Sequence, residues 1–257
     1  MTKQPDDTSV QLATRLGAVA SLCEVVATTQ LSTSVYEVVL RGNAATLAGV
    51  PGNDVMLRMD DAQGRAVRRR FSVRGLDEAN DSFSLWITID HEGPGSKWVK
   101  DATPGDVVDV IGPRGKIPLD PLADWHLFVG DVSGFAAFYR MAESIELPGR
   151  AIFIVEIDAA DDALTATFDE GLGVTGIFVD RRGRATSDPA GLLSGLAAFA
   201  LPPDVGHAYL FGEFHVMRTL QSALLDRGLN QGQISHKAFW RSGLSNADHG
   251  EPEKSEP

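Results

Sequence analysis

The chain has 257 residues, enough for one large domain or two smaller ones with a substantial core. Its composition, 43% hydrophobic and 23% charged, is that of an ordinary globular protein, and its net charge of −12 argues against nucleic acid as a partner. No apolar run reaches the roughly 18 residues of a membrane span, so no membrane insertion is expected. The start, MTKQPDDTSVQLATRLG, lacks the basic-then-apolar order of a secretory signal, and a cytoplasmic location is the expectation. The single Cys23 excludes an internal disulfide and a cysteine-built metal or iron–sulfur centre; it reads as a small buried strand residue.

Residues 1–17 read as a polar, flexible tail. Residues 18–116 then read as six short strands: VASLCEVVATTQ, SVYEVVLRG, NDVMLRMDD, AVRRRFSVRG, DSFSLWITID and DVVDVIGP. They are separated by the turn clusters GN, PGN, DAQG, DEAND and TPGD, which is the pattern of an antiparallel sandwich or barrel. Only SKWVKDA, after GPG, has helical character. After a boundary near 116–124 the grammar changes. HLFVG, RAIFIVEID, TGIFVD, HAYLFG and ISHKAFW read as strands. SGFAAFYRMAESI, PAGLLSGLAAFA and EFHVMRTLQSALLDRG read as helices. Strands alternating with helices over 124–244 indicate a parallel sheet with right-handed crossovers, and 245–257 is a second polar, flexible tail.

The charge is uneven. Residues 1–120 carry a net of −3 and residues 121–257 a net of −9. Against that background the stretch VRRRFSVRG, residues 67–75, gathers Arg68, Arg69, Arg70 and Arg74 around Phe71 and Ser72. Strand alternation sends Arg69, Phe71 and Val73 one way and Arg70, Ser72 and Arg74 the other. Arginine forks match phosphate oxygens, an aromatic ring stacks on a flat heterocycle, and a hydroxyl can hydrogen-bond its edge. The stretch therefore suits a flavin dinucleotide, and equally suits a solvated edge strand whose arginines deter aggregation. Arg68 and Arg70 read as solvent-side charge. About twenty residues on, HEGPGSKWV brings backbone N–H groups and a short helix, opened by Ser96, toward an anion; the plain alternative is a turn with a serine cap.

Taken together these residues resemble the siderophore-interacting protein family, the flavin-dependent ferric-siderophore reductases of the ferredoxin-reductase-like superfamily. The family's Arg-x-Tyr-Thr/Ser-x-Arg reads Arg69-Arg70-Phe71-Ser72-Val73-Arg74, and its Gly-Pro-Ala-Ser-x-Trp reads Gly93-Pro94-Gly95-Ser96-Lys97-Trp98. Further matches are Pro104-Gly105-Asp106, Gly112-Pro113-Arg114-Gly115, Gly212-Glu213 and Phe239-Trp240-Arg241-Ser242-Gly243. The family's Gly-Asp-Glu-Thr-Ala-Leu-Pro-Ala reads Gly130-Asp131-Val132-Ser133-Gly134-Phe135-Ala136-Ala137, which keeps Gly130 and Asp131 and replaces the glutamate and the proline. The resemblance implies a six-stranded antiparallel Greek-key β-barrel that binds FAD, over 18–116, followed by an α/β domain with a parallel sheet for NADPH or NADH. It implies that Arg69 meets the pyrophosphate, Phe71 stacks on the flavin and Ser72, the catalytic candidate, reaches its N5. Val73, Arg74, Gly93, Gly95, Ser96 and Trp98 complete that set, and Asp131, Ser133, Gly212, Glu213 and Trp240 complete the cofactor residues.

The implied reaction moves hydride from NAD(P)H to FAD and electrons on to Fe(III) in a ferric siderophore, with release of Fe(II). Lys237 is the candidate for attracting that anionic chelate, beside the plainer reading of a solvated strand residue. Cofactor preference stays open. Asp158, Asp161 and Asp162 would favour a ribose 2′-hydroxyl, Arg181, Arg182 and Arg184 a 2′-phosphate, and both groups also read as solvated loops. The six histidines, His91, His126, His207, His215, His236 and His249, show no metal-ligand spacing, and no metal site or catalytic triad is expected. Two other readings are carried: a flavoprotein of this architecture with a different acceptor or impaired nicotinamide use, and a non-enzymatic flavin-binding module. The oligomeric state is not legible in the sequence.

Overall fold

A computed structural model describes residues 4–89, 93–115 and 117–243. His91, Glu92, His249 and the expected tail 245–257 lie outside the described residues. The chain divides into two compact units, residues up to 118 together with 136–141, and residues 119–135 together with those from 142 onward.

The first unit is a closed antiparallel barrel. Its strands are β1 (Val19–Gln30), β2 (Val35–Arg41), β3 (Asp54–Asp60), β4 (Ala66–Asp77), β5 (Ser82–Thr88) and β6 (Val107–Arg114), in the order β1-β2-β5-β4-β3-β6. Closure removes the free edges that an open sheet of this kind would present. Alternate residues fill the interior: Val55 and Leu57 on β3, Val73 on β4, Phe83, Leu85 and Ile87 on β5, Val108 and Val110 on β6. Each such side chain contributes about 1.5–3 kcal/mol when fully buried. Cys23 belongs to this core, and burial pushes its thiol up to about 11, as befits a packing residue.

Residues 7–16 correct the expectation of a flexible tail, because they form helix α1 (Asp7–Leu16). Asp6 caps its first turn by accepting from the Ser9 amide at 2.7 Å, and Gly17 closes it in the left-handed conformation. Ser9 is fully buried, with its hydroxyl bonded to Asp109 on β6 and to Arg68 on β4. The hydrogen bonds that hold α1 to the barrel join residues distant in the chain, which is why the local sequence reads as a tail.

The second unit is a five-stranded parallel sheet. Its strands are β7 (Trp125–Asp131), β8 (Gly149–Ile157), β9 (Leu172–Asp180), β10 (Gly206–Glu213) and β11 (Ile234–Trp240), in the order β11-β10-β7-β8-β9. The central strands β7 and β10 are buried at every position, and their middles are apolar, with His126 and His207 near their starts and Asp131 and Glu213 at their ends. Helices α4 (Ala190–Ala198) and α5 (Phe214–Asp226) cover one face, where Leu192, Leu196, Val216, Leu220 and Leu224 pack on Leu127, Val129, Ile152, Ile154 and Leu210. Strand order reverses between β7 and β10, and it is beyond the carboxyl ends of strands at such a switch that open α/β sheets hold ligands in a crevice. Among the described residues no helix is long and apolar enough to cross a membrane.

Candidate functional site

The four arginines of β4 are not equivalent. Arg70 donates to both oxygens of the buried Asp54, at 2.7 and 3.2 Å, and Arg68 reaches the buried Asp109 at 3.2 Å. Both were expected as solvent-side charge; instead each is a partly buried partner of a carboxylate on another strand, Asp54 on the adjacent β3 and Asp109 on β6, one strand beyond it. Arg69 lies on the opposite face, across from Leu57 in register. It is half-buried, and it donates to a backbone carbonyl, that of Arg68, at 2.9 Å. Among the described residues no carboxylate lies within ion-pair distance of it. Burial pulls its pKa below the usual arginine value, with Asp61 opposing, and the guanidinium stays charged.

Next along the strand, Phe71 packs partly against the barrel core, while Ser72 is buried across from Asp54. Val73 is wholly interior, and its amide donates to the Asn53 carbonyl at 3.0 Å, so neither its side chain nor its N–H is presented outward. The β4–β5 register shifts between Val73 and Gly75, a bulge that re-aims Arg74. Its guanidinium lies over the Trp86 ring at 5.0 Å and the Tyr139 ring at 5.7 Å, and those two rings meet edge to face. Tyr139 comes from α3 (Phe135–Ala142), and neither aromatic partner was singled out in the sequence reading.

The second motif forms helix α2 (Pro94–Asp101), with Pro94 in its first turn. Its cap is Gly93, which has no side chain to bond the first amides, so those N–H groups are left to whatever approaches the turn. Ser96 was expected to open this helix. It lies inside the first turn instead, and its hydroxyl donates to the Thr88 carbonyl at 3.2 Å. Trp98 packs against the barrel core. Gly95 sits directly on Phe71: a Cβ there would lie 3.0 Å from the ring's Cζ. The two motifs, twenty residues apart in sequence, thus meet through Phe71 and Gly95. An aromatic ring, an unshielded helix start and a half-buried arginine without a carboxylate partner are the chemistry that a flat, anionic dinucleotide such as FAD requires.

In the second unit the expected residues also converge. Asp131 ends β7 and Glu213 ends β10, the two strands that flank the switch in strand order. Asp131 accepts from the Ser133 amide at 2.9 Å, from the Ser133 hydroxyl, and from the Trp240 indole at 3.1 Å. Gly212 lies against it: a Cβ there would fall 2.6 Å from Asp131 Oδ2. Glu213 caps α5 through the amides of His215 and Val216 and accepts from the Ser242 amide at 3.1 Å. Both carboxylates are therefore buried anchors that shape the crevice.

Lys237 lies on β11 with its ammonium 5.6 Å from the Phe239 ring. Not foreseen is a basic group around Phe214, where Arg218 and Arg241 stand 5.8 and 5.0 Å from the ring. Neighbouring His236 has its pKa lowered by burial and by Arg218. The loop arginines are likewise not simply solvated. Arg181 bridges Glu156 and Asp158, each at 2.9 Å, and Arg184 reaches Glu156 at 2.8 Å. Burial raises the pKa of Asp158, with Arg181 opposing.

One arrangement departs from the expectation of no triad. His207 joins Asp120 at 3.1 Å and Ser235 at 2.9 Å. These residues lie at the amino ends of β10 and β11 and before β7, opposite the crevice, and the Asp120 amide also donates to Tyr209 at 2.7 Å. The chain of bonds fastens the segment entering β7 to the sheet.

Comparison with known proteins places these features in order. Residues 50–117 match the model of the siderophore-interacting FAD-binding domain, and residues 123–243 match that of the siderophore-interacting protein, together about three quarters of the chain. An uncharacterised protein of Mycobacterium tuberculosis is 29% identical over 188 residues, 68% of this chain and 65% of the relative, so the chain spans less than two thirds of that relative's length. Ferric vibriobactin reductase ViuB of Vibrio cholerae is 29% identical over 99 residues, 38% of this chain and 36% of that protein. A crystal structure of a siderophore utilization protein from T. fusca shares the fold, with a TM-score of 0.79 at 24% identity, covering 90% of this chain and 96% of that one.

Proposed function

Because the chain belongs to the siderophore-interacting protein family, a family of FAD-binding oxidoreductases, we propose that it is an NAD(P)H-dependent ferric-siderophore reductase. The observation that carries this reading is the meeting of Phe71 with the Gly93–Ser96 turn beside the half-buried Arg69, within the segment that matches the family's FAD-binding domain. When bound, FAD would supply the two-electron to one-electron conversion that lets a hydride donor reduce Fe(III).

In this reading Arg69 holds the pyrophosphate by charge-assisted hydrogen bonds, and the amides at the start of α2 share that anion. Phe71 offers the ring a stacking face, and Ser72 directs a hydroxyl at its edge, where it orients the hydride acceptor. Arg74, stacked on Trp86 and Tyr139, is a rigid cation at the same strand end. The crevice shaped by Asp131, Ser133, Gly212, Glu213 and Trp240 receives the nicotinamide dinucleotide. Lys237, with Arg218 and Arg241, draws an anionic ferric chelate toward an otherwise acidic unit. Reduction weakens the hold of hard oxygen ligands on iron, so the protein has no need to bind the metal itself.

The test is a visible spectrum under anaerobic conditions. Protein with FAD should show flavin bands that NADH or NADPH bleaches and that a ferric siderophore restores, with Fe(II) trapped by a chromogenic chelator. Failure to bind FAD overturns the reading. Flavin that is bleached but not restored by any ferric chelate assigns the chain to a different acceptor.

A further inference from the structure

The end of β8 carries two acids, Glu156 and Asp158, and they have different fates. Glu156 is 3% exposed and is covered by Arg181 and Arg184. Asp158 meets Arg181 with both carboxylate oxygens, at 2.9 and 3.0 Å, and keeps about a third of its side chain open, at 31% exposure. In a parallel sheet with its ligand crevice at the carboxyl ends, the end of the second strand faces the ribose of an adenine dinucleotide. That strand is β8 here.

The three arginines after β9 are the obvious ligands for a 2′-phosphate, and the fold has already committed them. Arg181 is 4% exposed and bonded to both acids. Arg184 spans Glu156 and Asp188, and it donates to the Asp180 carbonyl at 3.2 Å. The first turn of α4 closes over it: a Cβ on Gly191 would fall 2.1 Å from its Nη2 and 2.7 Å from Glu156 Oε1. Swinging Arg184 out to a phosphate would strand Glu156 as a buried, poorly compensated charge. Arg182 is the exposed one, and Asp180 stands 3.8 Å from it.

Resting on the nucleotide-site reading above, we infer that Asp158 makes the chain select the unphosphorylated dinucleotide, NADH, over NADPH. The open side of its carboxylate accepts the ribose 2′-hydroxyl, and its charge repels a 2′-phosphate that Arg181 and Arg184, held by Glu156, are not available to neutralise.

The test uses ADP-ribose and 2′-phospho-ADP-ribose, which lack nicotinamide and so report binding without turnover. Calorimetric titration of the FAD-loaded full chain should show ADP-ribose binding at least tenfold more tightly. Asp158→Asn, which keeps the shape and removes the charge, should narrow that ratio severalfold. Arg182→Ala should leave it unchanged. Equal binding, or tighter binding of the phosphorylated probe, overturns this inference alone, as does an unchanged ratio in a folded Asp158→Asn protein. Selective loss of the phosphorylated probe in Arg182→Ala would assign Arg182 as a phosphate ligand and overturn it too. Binding of neither probe overturns the nucleotide site itself, and this inference with it.

Discussion

The arginine clusters on β4 and after β9 look alike in sequence and differ in what surrounds them. On β4 the strand alternates, so Arg68 and Arg70 meet the buried carboxylates Asp109 and Asp54 while Arg69, on the other face, meets none among the described residues. After β9 the chain turns back under α4, and each arginine there lies near a carboxylate. A cation paired inside the fold is part of its architecture, whereas one left half-buried without a counter-charge is prepared for an anion from outside. The difference lies in the supply of acids within reach.

The largest effect should come from unpairing a buried cation. Glu156→Gln leaves Arg181 with reduced compensation at 4% exposure, and should cost about 3–5 kcal/mol by urea denaturation at pH 7. A cost below about 1 kcal/mol would mean that the β9 cluster is as loosely held as a surface pair. Arg69→Ala should instead spare stability and weaken FAD. Loss of one charged hydrogen bond, about 1.5–3 kcal/mol, corresponds to roughly ten- to hundredfold in affinity by quenching of flavin fluorescence. Arg70→Ala should show the reverse, a fall in stability from the stranded Asp54. If the two substitutions behave alike, the contrast within β4 is wrong.

A pH profile separates the two units further. Burial depresses His126 to about 4, and it lowers His207 as well. The unfolded chain therefore takes up protons below about pH 6.5 that the folded chain refuses, and stability should fall as pH drops from there toward 4. Melting temperatures from pH 7.5 to 4.5 should show this decline, and His126→Gln should flatten it. The smallest effect is expected at Gly95→Ala. The added Cβ would stand 3.0 Å from the Phe71 ring, which a small shift of the ring accommodates, so the melting temperature should barely move and flavin-fluorescence titration should show FAD loosened slightly if that ring is its stacking face.

Much of this was open to a reader of the sequence. The six barrel strands follow from alternating apolar residues between turn clusters, and the five sheet strands from short apolar runs between helical segments. Helix α1 was not legible, since its anchor is Ser9, bonded to residues about 60 and 100 positions away. Nor was the engagement of Asp131 with Trp240, or of Arg74 with Tyr139, because side chains that meet across a fold leave no mark in local spacing.

By itself, then, the sequence determined the order of the two units, the alternation that separates Arg69 from its neighbours, and the family motifs, all of which depend on spacing along one strand or helix. Only the tertiary structure decided which arginines are already neutralised and which acids are buried. It also decided which two distant motifs share a surface. Those outcomes depend on distances between segments remote in the chain, and on the desolvation that each charge undergoes when they pack.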